Sequence, residues 1–387
     1  MKEAQRLTIC YFGTYRANYN RNEMILAGLR CQPQVEVITC HVPLWHSVED
    51  RVKQASGAWL RPAFWKRVLS TYWRLIRSHQ ALSAYDVMVI GYPGSIDAII
   101  GRILTKFRRK PVVIDHYMSL YLIAAERGLV AKSPLTGKLI LWLEKLGLHL
   151  ADLLISDTDA YIQYHCETYQ LPKDKFRLVP AGADDRLYRP IAPSEPRDTA
   201  TCRVLYYGTF IPNHGVPTII EAAALLQTDD TIQFDFYGEG PDEPEARQRA
   251  AREGLTNVTF HGWVEKTSLP AIMANADIIL GVFGTTPQSL MTVQNKIWEG
   301  CAMQKPVLTG WAQTVSEMFR DQEELFFVER ANPQALADGI QQLASDPALR
   351  AKLSENGYER SKQNQIAKLG ARFAQHLREL VGKGEHA

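Results

Sequence analysis

Along the chain, short apolar runs rich in β-branched and aromatic residues alternate with longer stretches whose apolar positions recur every three or four residues. The first half has six such runs: Leu7 to Phe12, Val35 to Cys40, Val87 to Ile90, Val112 to Ile114, Leu153 to Ser156 and Phe176 to Val179. These are buried-strand candidates, and helix-length segments lie between them. The pattern therefore predicts a doubly wound parallel sheet covered by helices. Six more runs follow: Arg203 to Tyr207, Gln233 to Tyr237, Val258 to His261, Ile278 to Val282, Pro306 to Thr309 and Leu325 to Val328. They predict a second α/β domain of similar build.

Between the two sets, Pro190, Pro193 and Pro196 stand among polar residues and disfavour both helix and sheet interior. The expected organisation is a first domain over 1–190, a linker over 191–201 and a second domain over 202–365. Helical periodicity runs from Pro333 to Leu380, with caps expected at Asp346-Pro347 and Asn356-Gly357. Its last part, 366–387, is long enough to cross back onto the first domain. A length of 387 residues agrees with two domains.

Composition narrows the class. Hydrophobic residues make up 46% and charged residues 22%, with a mean hydropathy of −0.21, which excludes a mostly disordered or mostly membrane-embedded chain. The six cysteines show no CxxC spacing, so neither a zinc cage nor a disulfide framework is expected. No secretory signal pattern opens the chain, and a cytoplasmic location is the expectation. The net charge of +2 conceals an asymmetry: residues 1–190 carry 26 basic and 17 acidic side chains, and the remainder carries 18 and 25. The first half is thus expected to face an anionic surface or ligand.

Parallel sheets bind ligands beyond the carboxyl ends of their strands, and several turns there carry chemistry. In Tyr207-Gly208-Thr209-Phe-Ile-Pro-Asn-His214-Gly215, glycine permits close backbone approach, and the helix starting near Val216 offers amides to an anion. A plain strand-to-helix turn needs the same glycine. Gly238-Glu-Gly240 ends the next strand but lacks the spacing of a dinucleotide fingerprint. Gly262-Trp263-Val264 forms an edge suited to a flat base, or an ordinary loop with a buried indole.

The richest segment runs from Gly281 through Met291-Thr292-Val293-Gln-Asn295-Lys296-Ile-Trp-Glu299 to Thr309. It places Lys296 in the first turn of a helix, beside amides that favour a diphosphate, and Glu299 one turn deeper where it can accept from ribose hydroxyls. The plain counterpart is an ordinary Lys/Glu pair on a solvated helix face. In the first half, a strand ends in Asp115-His116, two ionisable groups at the same kind of edge. Gly13-Thr14 and Gly94 mark two further turns there.

Taken in order, these turns and the run Asn295-Lys296-Ile-Trp-Glu299-Gly-Cys-Ala-Met-Gln-Lys-Pro306 resemble the C-terminal domain of retaining family-four glycosyltransferases of the GT-B fold. The resemblance covers about residues 200–330 and implies two Rossmann-like domains facing across a cleft. It implies a nucleotide-sugar donor, most often a UDP-sugar, held by the second domain, and a lipid-linked or polysaccharide acceptor held by the first. It assigns Glu299 to the ribose, Thr209, His214 and Lys296 to the diphosphate, and Gly262, Trp263 and Val264 to the base, with Gly208, Gly238, Met291, Thr292, Val293 and Asn295 completing the donor-binding set. His116 or Asp115 approaches the transferred sugar, and Gly13, Thr14 and Gly94 belong to acceptor-side loops. Transfer with retention, no cofactor and no metal are the implied chemistry. The chain departs from the family at Met291, where the first glutamate of an E-x7-E motif is expected, and at Thr209 and His214, where Arg and Lys are frequent. A nucleotide-sugar epimerase and a catalytically silent nucleotide- or partner-binding member are the competing functions. An NAD-dependent enzyme ranks low for want of a fingerprint after the first strand.

Finally, Trp59 to Leu82 reads as a cationic amphipathic helix bordered by tryptophans, suited to an anionic membrane surface. Peripheral association with the inner face of a membrane is the expectation, and nucleic acid is not.

Overall fold

The computed structural model describes residues 6–44, 62–106, 108–193 and 201–384. By contact the chain divides into two units, Met1–Pro180 with Ile366–Ala387, and Ala181–Gln365. The division falls ten residues before the proline cluster. Residues 181–189 go with the second unit, where Tyr188 is buried and hydrogen-bonds Glu299.

The first unit holds β1 (Leu7–Gly13), α1 (Asn20–Arg30), β2 (Val35–His41), α2 (Pro62–Gln80), β3 (Val87–Ile90), α3 (Ser95–Lys106) and β4 (Val112–Asp115). There follow α4 (Leu120–Glu126), α5 (Leu129–Lys132), α6 (Pro134–Leu150), β5 (Leu153–Ser156), α7 (Asp159–Tyr169) and β6 (Phe176–Leu178). The strands form a parallel sheet of order β2-β1-β3-β4-β5-β6, in which Ile9 lies level with Val37 and Val87. One face packs on α1 through Met24, Ile25 and Leu29. The other packs on α2, α3, α6 and α7 through Leu75, Ala98, Leu148 and Ile162.

The second unit contains β7 (Cys202–Tyr207), α8 (Val216–Leu225), β8 (Ile232–Tyr237), α9 (Glu243–Arg252), β9 (Val258–Gly262), α10 (Leu269–Asn275) and β10 (Ile278–Leu280). It continues through α11 (Pro287–Met291), α12 (Asn295–Ala302), β11 (Val307–Gly310), α13 (Gln313–Ser316), β12 (Phe326–Val328), α14 (Pro333–Ser345) and α15 (Pro347–Ser361). Its parallel sheet has the order β12-β11-β10-β7-β8-β9, with Val204 level with Phe234 and Ile278. Asp346 caps α15, its side chain accepting from the amide of Leu349, as its position before a proline predicts. Asn356-Gly357 does not end a helix. It lies within α15, where Asn356 donates to the Glu323 carbonyl and the bare Gly357 lets the helix approach Glu324 and Cys301.

The last helix, α16 (Ile366–Gly384), joins the first unit and packs on α1 through Ile366, Leu369, Phe373 and Leu377. Among the described residues, no helix is long and apolar enough to cross a membrane, and no group of His, Cys, Asp and Glu is placed to hold a metal ion.

Candidate functional site

In the second unit the strand β7 is followed directly by Gly208, whose φ of +133° is reserved for residues without a Cβ. Gly238, after β8, has φ +127° and sits so close that a Cβ there would lie 2.0 Å from the Gly208 carbonyl oxygen. These two turns and the β9 edge enclose a cavity of about 230 Å³ lined by Tyr207, Gly208, Thr209, Tyr237, Gly238, Glu239, Trp263, Val264, Lys266 and Leu269. Gly208, Thr209, Gly238, Trp263 and Val264, all expected at the donor site, meet there. Trp263 is 59% exposed, so it is not the buried indole of an ordinary loop. Gly262 turns the chain at φ +75° to present it.

Lys296 lies next to Gly208, one of the residues that line this cavity. It is the second residue of α12, and its Nζ comes within 3.3 Å of where a Cβ on Gly208 would be. The side chain is buried, yet Nζ has no hydrogen-bond partner and lies 4.2 Å from the centre of the Tyr206 ring. Burial pushes its pKa down to about 7, with Glu299 opposing the shift. The solvated Lys/Glu pair is thereby excluded.

Glu299, one turn on, is also buried and accepts a hydrogen bond from the Tyr207 hydroxyl at 2.9 Å. Burial raises its pKa, and the hydrogen bond from Tyr207 opposes that rise. His214 is held by Tyr206, whose hydroxyl lies 2.9 Å from Nδ1 and donates to the Thr209 carbonyl at 3.0 Å. Burial and the Lys296 charge both drive its pKa well below the usual range, so this imidazole is neutral and supplies no cation.

Met291 is the last residue of α11, and Thr292 and Val293 are buried in the link to α12, which begins at Asn295. Met291 brings no carboxylate to this link. The neighbouring loop carries a cation that the sequence reading missed. Arg330, just after β12, is buried, donates from Nη1 to the Gly284 carbonyl and the Ser289 hydroxyl, and from Nε to the Trp311 carbonyl. Its Nη2 has no partner, and burial pushes its pKa down to about 10. Its place directly after a strand was the available signal. Tyr206 and Tyr207 were missed because aromatic residues in a buried strand read as core.

The first unit tells a different story for its own candidates. Asp115 is fully buried and paired with Arg21, which approaches it with Nε at 2.9 Å and Nη2 at 2.8 Å. The remaining arm, Nη1, donates to the carbonyls of Val179 and Pro180. Asp115 thus anchors α1 to the ends of β4 and β6 through Arg21.

His116 is buried as well, 3.4 Å from Glu144 and with its ring centre 4.5 Å from that of His165. Burial lowers its pKa and keeps it neutral. Thr14 is occupied too: its amide and hydroxyl both bind Asp97, which also accepts from the Tyr72 hydroxyl. Gly13 ends β1 beside the same carboxylate, and Gly94 packs against Ile90 at the start of α3.

Residues 201–346 match the family model described as Glycosyl transferases group 1. The whole chain aligns with the structure of HepE from Anabaena in complex with UDP, at 16% identity, covering 97% of this chain and 100% of that one, with a TM-score of 0.68. It also aligns with sucrose-phosphate synthase from Thermosynechococcus elongatus, at 17% identity, 98% and 100% coverage and a TM-score of 0.73. The chain has the GT-B fold. Among curated proteins, this GT-B chain is 23% identical over 257 residues to an alpha-D-kanosaminyltransferase of Streptomyces kanamyceticus, 64% of each chain. It is 27% identical over 157 residues to the lipopolysaccharide core biosynthesis glycosyltransferase LpsE of Rhizobium meliloti (strain 1021), 40% of this chain and 43% of that one. The matches therefore span less than two thirds of the length of either relative. The group 1 match falls on the unit that holds the Lys296 cavity.

Proposed function

We propose that this protein is a glycosyltransferase that moves a sugar, read as a hexose, from a nucleotide-sugar donor to a glycan or lipid-linked acceptor, with retention at the anomeric carbon. The observation that carries the reading is the buried, unpartnered ammonium of Lys296 beside Gly208, in one of the glycine turns that line the 230 Å³ cavity. A buried cation without an acceptor is costly, and a ligand anion offsets that cost. The departing group of the reaction is a nucleoside diphosphate, whose negative charge grows as the glycosidic bond breaks. Lys296 and the first amides of α12 are suited to stabilise it without a metal. Glu299, oriented by Tyr207, is placed to accept from ribose hydroxyls, and Trp263 offers a face to the base.

Retention calls for attack on the face from which the diphosphate departs, and no carboxylate is assigned as a covalent nucleophile. UDP is the expected carrier, being the nucleotide bound in the structurally similar HepE complex. The similarity to a lipopolysaccharide core glycosyltransferase supports a glycan acceptor.

The test is a thermal-shift series with UDP, GDP and ADP, followed by nucleoside diphosphate release with and without membrane-extract acceptor. Selective stabilisation by UDP and acceptor-dependent release are expected for wild type, with loss of both in Lys296→Ala. A changed sugar without any acceptor would make the protein an epimerase. Binding without release would make it a silent member of the family.

A further inference from the structure

We infer that the outer faces of α2, α3 and α6 form one docking platform for a bilayer containing anionic lipid. The three helices lie side by side on the same face of the first sheet, with Leu75, Ala98 and Leu148 turned inward. Tyr72 of α2 bonds Asp97 of α3, and the Ser95 backbone of α3 rests against Gly147 of α6.

Outward they present apolar side chains at helical spacing. Trp65, Leu69 and Trp73 on α2 are 48%, 68% and 58% exposed, and Leu135 and Trp142 on α6 are 79% and 58% exposed. Ile96 and Ile103 of α3 and Leu139 of α6 complete the surface. Exposed apolar area on this scale marks an interaction site.

Charge selects the partner. The outer faces carry Lys66, Arg74, Arg77, Lys106 and Lys138, all exposed. The helices contain only two carboxylates, Asp97 and Glu144, and both are buried and hydrogen-bonded within the unit. Every exposed charge among the described residues of these three helices is therefore basic. The next helix on that face, α7, exposes Asp159 and Glu167 and marks where the platform stops.

Cations ringing tryptophan and leucine suit a headgroup layer: indoles and aliphatic chains enter the boundary, while the long basic side chains reach lipid phosphates. Nucleic acid would leave Leu69 and Leu135 without apolar contact. The surface is wider than the Trp59 to Leu82 stretch suggested by sequence, of which Trp59, Leu60 and Arg61 lie outside the described residues. It stands independently of the donor-site reading.

Flotation of the full chain with vesicles tests it. Phosphatidylcholine vesicles are compared with vesicles containing about 30 mol% phosphatidylglycerol, and the anionic set is expected to bind at least about tenfold more strongly. Brominated lipid should quench tryptophan fluorescence. Lys66→Glu/Arg74→Glu/Arg77→Glu should lower binding roughly a hundredfold. Trp65→Ser/Leu69→Ser/Trp73→Ser and Leu135→Ser/Leu139→Ser/Trp142→Ser should each lower it about tenfold or more, with unchanged circular dichroism because the residues are exposed. Wild type that floats with neither vesicle would overturn the proposal and turn attention to a protein partner. Equal flotation with both would overturn the role of charge, and an α6 variant that floats like wild type would overturn the three-helix platform.

Discussion

The ammonium of Lys296 lies 4.2 Å from the centre of the Tyr206 ring and makes no hydrogen bond. The negative face of the ring compensates part of the charge, by about 0.5–2 kcal/mol, but leaves the N–H groups without acceptors. Its depressed pKa of about 7 is the electrostatic signature of that deficit. The site is thus poised between a neutral amine and an ammonium near physiological pH, and an arriving diphosphate shifts the balance to the ammonium.

Proton uptake follows. Above about pH 7 the ligand-free Lys296 is increasingly neutral, and a bound diphosphate raises its pKa, so binding draws a proton from solution. UDP affinity should fall with rising pH between about 7 and 9, by up to about tenfold per pH unit. Titration calorimetry in buffers of different ionisation enthalpy measures the uptake directly. Flat affinity with no proton taken up would remove Lys296 from the diphosphate site.

The same residue should be a liability to the empty protein. Its folded pKa of about 7 lies below the unfolded value near 10.5, so the unfolded chain binds more protons and stability rises with pH across that window. Lys296→Met keeps the volume and removes the charge, and should stabilise the ligand-free protein by about 2 kcal/mol at pH 6. The gain should shrink towards pH 10 while UDP binding is lost throughout. Urea unfolding at the two pH values checks the sign, and a variant weaker than wild type at pH 6 refutes it.

Glu299 offers a ligand-side control. If its carboxylate, held by the Tyr207 hydroxyl at 2.9 Å, accepts from ribose, then Glu299→Ala should weaken UDP about tenfold or more. It should have far less effect on an analogue lacking both ribose hydroxyls. Equal losses for the two ligands would mean that the substitution acts through the fold.

Asp115 should behave as a structural ion-pair partner. Asp115→Asn leaves the Arg21 guanidinium buried without its counter-charge, and breaking such a pair costs about 3–5 kcal/mol. A large drop in unfolding free energy is the expected result. Near-wild-type stability with activity abolished would instead make Asp115 a group that meets substrate.

What could be read from the chain beforehand follows a physical division. The twelve strands among the described residues were visible because central parallel strands impose continuous apolar runs such as Val87 to Ile90, and a strand nearer the sheet edge such as Ile232 to Tyr237 still keeps every second residue apolar and buried. Lys296, Glu299 and the glycine turns were visible because the strand-edge rule is local: it needs only a strand, a turn and the start of a helix. What stayed hidden depends on distant partners. Arg21 meets Asp115 across 94 residues of chain, so no spacing announces that the carboxylate is already occupied. Tyr207 supports Glu299 across 92 residues, and a strand tyrosine gives no sign that its hydroxyl has a task. The length of the last helix announced that it could return to the first unit, but the same distance effect hid that α1 is the helix that receives it.

That join is the basis of a last prediction. Gly28 of α1 and Gly370 of α16 meet backbone to backbone: a Cβ on Gly370 would lie 2.0 Å from the Gly28 carbonyl oxygen, and one on Gly28 would lie 2.5 Å from the carbonyl oxygen of Ile366. Both are helix interiors, where alanine is ordinarily the better residue by about 1 kcal/mol. Propensity alone therefore says that Gly370→Ala stabilises. The contact says the opposite, because relief requires rigid backbone to move and loosens the core that Leu29, Leu369 and Phe373 share. Overpacking of this kind costs about 1–3 kcal/mol, which outweighs the propensity gain at its upper end. Gly370→Ala should lower the unfolding free energy, and Gly370→Val should lower it further. Both should leave UDP affinity unchanged, since the donor cavity lies in the other unit. Urea unfolding of the two variants decides it, and a stabilised Gly370→Ala would show that the helices do not meet as closely as these distances require.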